Sequence, residues 1–176
     1  MTRIGLFPAS YDPIHLGHID IAVRAARLFD ELVVAVYDRP MKNLLFSVDE
    51  RVSLVTASFT EVPNIRVTRY SGLTVDYARE VGAQAIVRGL RVFSDFELEF
   101  RMALANTRLA PDIDTVCLIT SERHMHLASS TIREIASLGG DTSTMVPPHV
   151  ERALLARFSK LGDDAAGAVD MVSMRD

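Results

Sequence analysis

Short apolar, β-branched runs recur along the chain and alternate with longer segments of helical period. They predict strands at residues 3–7, 31–37, 64–70, 85–88 and 114–120. The run at 31–37 is apolar at nearly every position, a pattern typical of a strand that helices cover on both faces.

The segments between these runs predict helices. In the first segment, Ile19, Ala22, Val23 and Ala26 stand at i, i+3, i+4 and i+7, which places them on one apolar face. The predicted helices cover about residues 17–29, a segment opening at 47, 73–81, 94 to before 111, 128 to before 139, and 149–158.

Polar residues and one glycine mark several predicted helix ends. Capping boxes, in which a hydroxyl and a later Glu each accept a backbone N–H, are predicted at Ser47–Glu50, Ser94–Glu97 and Thr131–Glu134. Gly82 is a predicted C-terminal cap, because glycine adopts the left-handed conformation that such caps use.

This alternation predicts an α/β fold, a single-domain, doubly wound, five-stranded parallel sheet of the Rossmann-like type. Ligands of such sheets bind beyond the carboxyl ends of the strands. We expect the domain to span residues 1–160 and residues 161–176 to form a disordered tail.

Composition narrows the functional classes. The 176 residues carry a formal net charge of −4 and are 48% hydrophobic, which argues against a disordered chain and against a general nucleic-acid or membrane binder. Cys117 is the one cysteine, so an internal disulfide and a cysteine zinc site are excluded, and as a mid-strand residue it is expected in the core. We expect a cytoplasmic protein without a signal peptide or membrane span.

The segment at 7–18 is the most informative for chemistry, because it lies where the first strand meets the first helix. His15 and His18 can face one way as the helix begins, Gly17 allows close approach of a ligand, and Ser10 supplies a hydroxyl. A helix N-terminus favours anions, so the pattern points to phosphate binding. The alternatives are capping or core histidines and, less favoured, a zinc site.

Three cations follow other strands at the same rim. Lys42 comes after the second strand, and Arg88 and Arg91 bracket Gly89 after the fourth. An ammonium and two guanidiniums there suit phosphates, although a solvated lysine and surface ion pairs are the ordinary alternatives.

Two further segments could contact a nucleotide. Glu99 could accept ribose hydroxyls or simply face solvent, and the hydroxyls of 129–131 could hold a phosphate or only cap a helix. His15, His18, His124 and His126, four of the five histidines, fall in these rim segments.

Together these segments resemble the phosphopantetheine adenylyltransferase family of bacterial coenzyme A synthesis, part of the nucleotidyltransferase superfamily with the His-x-Gly-His motif. The resemblance spans about residues 2–158 and is carried by 7–18, Lys42, 86–91 with 95–97, and 129–133. Other nucleotidyltransferases and class I tRNA synthetases share His-x-Gly-His, whereas Arg-Gly-Leu-Arg with Asp-Phe-Glu narrows the match.

The resemblance implies that ATP and 4′-phosphopantetheine, with Mg²⁺, give dephospho-coenzyme A and pyrophosphate in a homohexamer. It implies that His18 stabilises charge on the ATP phosphates, Arg91 holds them, Lys42 and Arg88 hold the acceptor phosphate, and Ser10 touches both. Thr74 falls where the family contacts the pantetheine arm. The remaining implied ATP contacts are Tyr11, His15, Gly89, Leu90, Glu99, His124, Met125, His126, Leu127, Ala128, Ser129 and Ser130.

The chain departs from the usual family pattern at Ala9, Ser10, Leu98, His124 and Ala128. Ser10 keeps the hydroxyl of the usual threonine, whereas Ala128 removes one possible contact. The competing functions are an adenylyltransferase with another acceptor, a non-catalytic nucleotide sensor and a tRNA synthetase core. The joint presence of His18 with the three rim cations argues against a sensor, and the missing Lys-Met-Ser-Lys-Ser loop argues against a synthetase.

Overall fold

A computed structural model of the chain describes residues 2–40 and 43–164. It contains a five-stranded, all-parallel sheet in the order β3-β2-β1-β4-β5, which confirms the expected α/β class. The strands are Ile4–Ala9 (β1), Glu31–Tyr37 (β2), Ile65–Tyr70 (β3), Ala85–Leu90 (β4) and Asp114–Ile119 (β5).

Helices follow the strands in the predicted order. They are Leu16–Ala26 (α1), Val48–Ala57 (α2), Thr74–Glu80 (α3), Phe93–Leu109 (α4), Ser129–Ser137 (α5) and Pro148–Asp164 (α6), with a short 3₁₀ turn at Glu122–His124. The helix α6 continues past the predicted domain end at residue 160, and the rest of the predicted tail lies outside the described residues. None of the helices described is both long and apolar enough to cross a membrane.

Strand β2 explains why both faces of the sheet are covered. Leu32, Val34 and Val36 are fully buried in a core that includes α1, α2, α5 and α6, while Val33 and Ala35 are fully buried in a second core with α3. Successive side chains of a strand point to opposite faces, so a continuously apolar strand requires two cores.

The predicted helix caps have mixed outcomes. Ser47 and Glu50 form the expected capping box, and Gly82 has the positive φ of 72° expected after α3. The capping box at Ser94 is wrong, because α4 begins at Phe93 and Val92 is its cap without a side-chain bond. The box at Thr131 is also wrong, because α5 already begins at Ser129.

Strand β5 forms an edge of the sheet that α4 covers incompletely. Cys117 is exposed there, so its predicted place in the core is wrong. Several large apolar side chains of α4 are also exposed, including Phe93 at 88% and Leu104 at 58%. The face formed by α4 and β5 is therefore apolar and uncovered in the single chain.

Candidate active site

The carboxyl ends of the strands bring most of the predicted site residues to one edge of the sheet. Strand β1 pairs with β2 on one side and with β4 on the other, so the strand order reverses at β1. This is the switch point at which doubly wound sheets bind ligands. Ser10 follows β1, Thr74 follows β3, Arg91 follows β4, and residues 121–130 follow β5.

The two histidines at the start of α1 cap that helix reciprocally. The Nδ1 of His15 accepts the backbone N–H of His18, and the Nδ1 of His18 accepts that of His15, both at 3.3 Å. The rings stack with centroids 3.7 Å apart. A neutral imidazole whose Nδ1 accepts a hydrogen bond carries its proton on Nε2, so each ring has an Nε2–H donor.

Burial keeps His15 neutral. Its side chain is 5% exposed, and desolvation, followed by the nearby charges of Arg91 and His124, lowers its pKa from 6.5 to about 3. The capping role of His15 is confirmed, and its contact with ATP stays a prediction. His15 belongs to the architecture of the helix N-terminus that faces the rim.

Ser10 and Tyr11 form the turn between β1 and α1, but their side chains differ in position. Ser10 is half-buried and lines a cavity. Tyr11 has a positive φ of 49°, is 1% exposed and donates its hydroxyl to the Phe7 carbonyl at 2.8 Å. The phenol of Tyr11 also packs edge-on against His18, so this side chain supports the site from the core.

Arg88 is paired in a way that the sequence left open. Its Nε and Nη2 donate to the two carboxylate oxygens of Glu99 at 2.7 and 2.6 Å, and its Nη1 donates to the Pro8 carbonyl. Burial is the largest single influence and would lower the pKa of Arg88, but the hydrogen bonds that Arg88 donates to Glu99 and the charge of that carboxylate act together against burial, and the pKa is raised. Glu99 is 8% exposed, so it is not the solvated glutamate of the ordinary alternative.

Arg91 is held between α4 and the segment that follows β5. Its guanidinium donates to Asp95 at 3.0 and 3.2 Å and to the Leu127 carbonyl at 2.8 Å. The Asp95 carboxylate also accepts the backbone N–H of Arg91. Burial alone would raise the pKa of Asp95, but the hydrogen bonds and the charge of Arg91 together have the larger effect, and the pKa is lowered. The carboxylate is therefore ionised and orients Arg91.

Residues 121–130 are anchored to α1. Asp20 accepts the Ser121 backbone N–H, Arg24 donates to the Ile119 carbonyl, and a Cβ added at Gly17 would stand 3.7 Å from that of His124. The predicted ATP contacts in this segment therefore lie beside the histidine motif.

Side chains within this segment differ in their exposure. Leu127 is 1% exposed, which leaves its backbone as the part that faces Arg91. Met125, His126 and Ser130 are exposed, and Ser129 donates to the Pro13 carbonyl at 2.9 Å. The serine next to Ala128 thus ties the start of α5 to the β1–α1 turn.

A cavity of about 470 Å³ is lined in part by Ser10, Thr74, Arg88 and Glu99. The Thr74 hydroxyl lies 3.0 Å from that of Tyr70, whose ring stacks on Tyr77. The lining combines the Arg88 guanidinium with apolar and aromatic side chains, which suits a ligand that has both a phosphate and an extended arm. Lys42, also predicted for this ligand, lies outside the described residues.

The donor set of the site suits phosphates rather than a resident metal ion. Among the residues that the structure describes, no three or more His, Cys, Asp or Glu side chains are grouped so that they could hold a metal. The nearby carboxylates of Glu99 and Asp95 are engaged by arginines. Mg²⁺ prefers oxygen ligands and often reaches proteins on substrate phosphates, so the protein residues here offer it no cage of their own.

Two buried charged residues beneath the rim were missed by the sequence reasoning. Arg51 and Asp12 are both fully buried. Arg51 stands between Val48 and Val55 on the apolar stripe of α2, and a cation on such a stripe was the signal that could have identified it. Asp12 sits in the β1–α1 turn and had no comparable signal.

Comparison with known proteins identifies close relatives. The family model described as cytidylyltransferase-like matches residues 6–135. The phosphopantetheine adenylyltransferase of Herpetosiphon aurantiacus is 53% identical over 86% of this chain and 92% of its own length. That of Roseiflexus castenholzii is 55% identical over 86% of this chain and 94% of its own length.

A solved structure carries the same fold. A proposed nicotinate-nucleotide adenylyltransferase from Vibrio parahaemolyticus superposes with a TM-score of 0.68, covering 88% of this chain and 99% of that one. The two sequences are 20% identical, so this likeness concerns the fold alone.

Proposed function

Because the chain belongs to the phosphopantetheine adenylyltransferase family, within the cytidylyltransferase-like group, we propose that it transfers the adenylyl group of ATP to 4′-phosphopantetheine. The products are dephospho-coenzyme A and pyrophosphate. The observation that carries this proposal is the identity above one half to relatives of that name along most of the chain.

The reaction is a direct in-line displacement. A phosphate oxygen of the acceptor forms a bond to the α-phosphorus of ATP while the bond from that phosphorus to the pyrophosphate oxygen breaks. The nucleophile is already an anion, so the site needs no general base and no covalent enzyme intermediate. Its task is to bring two polyanions together and to stabilise charge in the transition state.

The residues at the rim divide this task between the two substrates. His18 directs an Nε2–H toward the ATP phosphates, and Arg91 holds those phosphates beside residues 124–130. Lys42 and Arg88 hold the acceptor phosphate, Ser10 touches both substrates, and Thr74 meets the pantetheine arm.

Arg88 can bind a phosphate without releasing Glu99. A guanidinium has five N–H donors. Glu99 accepts one N–H from Nε and one from Nη2, and the Pro8 carbonyl accepts one from Nη1. Each terminal nitrogen therefore retains one N–H that can donate to a phosphate. Glu99 then acts mainly by orienting Arg88, a more specific role than contact with ATP.

Mg²⁺ enters with ATP in this proposal and is held by phosphate oxygens rather than by a protein cage. When bound, it supplies charge neutralisation on the triphosphate. The protein residues bind and orient the substrates.

The protein acts in the cytoplasm as a homo-oligomer, a hexamer in this proposal. The apolar face of α4 and β5 supports self-association, because patches of this kind in single chains mark interaction surfaces.

Pyrophosphate release tests the reaction and the acceptor together. We expect release from ATP and Mg²⁺ with 4′-phosphopantetheine and none with nicotinate mononucleotide or glycerol phosphate. Release with another acceptor would keep the chemistry but overturn the assigned acceptor. ATP binding without release for any acceptor would indicate a nucleotide sensor instead.

His18→Ala tests the transition-state role. Loss of one preorganised donor lowers kcat by roughly 10²–10³-fold, while the Kd for ATP changes less than about threefold. Single-turnover rates and calorimetric ATP titrations measure the two effects. His149→Gln is the control, because His149 lies on α6 and contacts α2. Equal losses of turnover and ATP affinity would contradict the role.

A further inference from the structure

Two charged residues of α1, Asp20 and Arg24, pair with each other and also bind the chain where it leaves β5. The Nη1 of Arg24 donates to Asp20 at 3.0 Å and to the Ile119 carbonyl at 2.8 Å. The same Asp20 oxygen accepts the backbone N–H of Ser121 at 3.4 Å. The pair therefore supplies a donor just before Thr120 and an acceptor just after it.

These two bonds satisfy backbone groups on the outer side of an edge strand. Thr120 donates its backbone N–H to the carbonyl of Leu90, at the end of β4, at 2.8 Å. Backbone groups of successive residues in a strand point to alternate sides, so those of Ile119 and Ser121 point away from β4. Because β5 is the last strand in the sheet order, Asp20 and its partner supply the bonds that a further strand would supply.

The bond at Ser121 leads into the turn that follows it. The Ser121 carbonyl accepts the backbone N–H of His124 at 2.8 Å, and the His124 carbonyl accepts that of Leu127 at 3.1 Å. The Leu127 carbonyl in turn accepts a hydrogen bond from Arg91. Asp20 thus holds the first residue of a connected run of hydrogen bonds whose last residue is held by the rim arginine.

We propose that Asp20, together with Arg24, is a positioning residue for ATP that holds residues 121–127 against the helix carrying His18. This inference rests on the proposed function, in which residues 124–130 line the ATP site and His18 faces the ATP phosphates. His18 and Asp20 lie on one helix, so α1 fixes the phosphate donor and the start of the ATP-binding segment together. The acceptor meets other residues, so loss of Asp20 should affect ATP far more than 4′-phosphopantetheine.

Helix stability by itself does not account for these contacts. A pair of opposite charges at i and i+4 on a helix surface stabilises the helix only slightly. The Asp20 side chain is 13% exposed, so its carboxylate is largely withdrawn from water. Burial alone would raise the pKa of Asp20, but the polar groups of Ser121 and Arg24 together lower it. The carboxylate is therefore ionised, and an ionised acceptor binds a backbone N–H more strongly than a neutral one does.

Asp20→Ala tests the proposal, and Asp112→Ala is the matched control. Asp112 pairs with Arg79 of α3 just before β5 begins, so the control removes a helix-to-strand ion pair at the opposite end of the same strand. We expect the Kd for ATP to rise about tenfold in Asp20→Ala and less than about twofold in the control, because the segment then adopts its binding arrangement in fewer molecules. The KM for 4′-phosphopantetheine should change less than about threefold in both. Calorimetric titration with ATP and initial rates measure the two quantities.

Amide hydrogen exchange and a conservative variant give two further readouts. The amides of Ser121 and His124 should exchange at least about tenfold faster in Asp20→Ala than in Asp112→Ala. Asp20→Asn keeps an oxygen that can accept the Ser121 N–H, so its Kd for ATP should stay within about threefold of wild type. Unchanged exchange, an unchanged Kd in Asp20→Ala, or equal losses with both substrates would overturn the positioning role.

The remaining outcomes separate this inference from the function on which it rests. Should Asp20→Ala fail to fold, Arg24→Met, which removes the donor to Ile119, is measured in its place. Failure of both variants to fold would replace the proposal with a purely structural role. A wild type that binds ATP without releasing pyrophosphate would overturn the proposed function, while the ATP titrations would still decide on Asp20. A wild type that binds no ATP would overturn both.

Discussion

At the scale of single residues, His15 shows how one residue of a motif can cap a helix and also lie at the candidate site. It caps α1 through Nδ1, which is the ordinary structural role, and it stacks on His18 beside Arg91, which places it at the rim. The same hydrogen bond that satisfies the helix end also fixes the proton on Nε2. Capping thus uses Nδ1, and the proposed contact with ATP would use the opposite nitrogen of the ring.

Burial of His15 gives the protein a defined pH dependence. The folded pKa is about 3 against an ordinary 6.5, so between these values the unfolded chain binds a proton at this residue and the folded chain does not. Stability therefore decreases as pH falls through this range. Asparagine caps helices well and does not titrate, so His15→Asn should remove the effect and keep the cap.

The size of this effect follows from proton linkage. Between about pH 7 and about pH 5, wild type should lose about 2 kcal/mol more unfolding free energy than His15→Asn. Urea unfolding at both pH values measures the difference, and the exposed His126→Asn serves as the control. Identical losses in wild type and His15→Asn would contradict the argument.

Arg88 and Glu99 mark the limit of residue-scale prediction. The sequence identified both as candidate site residues, but the ion pair between a strand end and a helix turn depends on how α4 crosses β4. Arg51 and Asp12 were missed for the same reason, since most of their partners lie in segments distant in sequence. Residue type and spacing carry no direct record of such contacts.

At the scale of elements, the sequence predicted a strand or a cap correctly where the local pattern favoured only one structure. The predicted strand at 31–37 has the same bounds as the observed strand Glu31–Tyr37. A short segment that is apolar at nearly every position is typical of a strand buried on both faces. The Ser47 cap matches because α2 begins directly after it.

The failed caps show a competing requirement. Ser94 and Thr131 are preceded by residues that are themselves helical or capping, so both helices start earlier than the hydroxyl pattern indicated. In α4 the carboxylate of Asp95 instead reaches back to the Arg91 backbone and guanidinium. At the start of α4, Asp95 therefore orients Arg91, and Ser94 does not cap the helix.

At the scale of the whole molecule, the doubly wound topology determines where the candidate site lies, and the uncovered edge is the surface through which the proposed oligomer would assemble. Alternation of strands and helices predicted the sheet, and the reversal of strand order at β1 explains why loops from four strands converge. The exposed Cys117 and the apolar face of α4 were not predicted, because periodicity cannot show that a helix leaves its neighbouring strand partly uncovered.

Assembly through this face is the prediction that belongs to the whole molecule. Phe93, Phe96 and Phe100 form a ladder on α4. Burying a fully exposed ring would favour association by about 1.5–3 kcal/mol, and Phe96 and Phe100, which are already about half-buried, would contribute about half as much each. Light scattering should give wild type about six times the 19.5 kDa chain mass, and Phe100→Glu should reduce it while circular dichroism stays unchanged. Leu138→Glu, at another exposed site, should retain the wild-type mass. A monomeric wild type, or a Phe100→Glu protein of unchanged mass, would show that this face does not join the subunits.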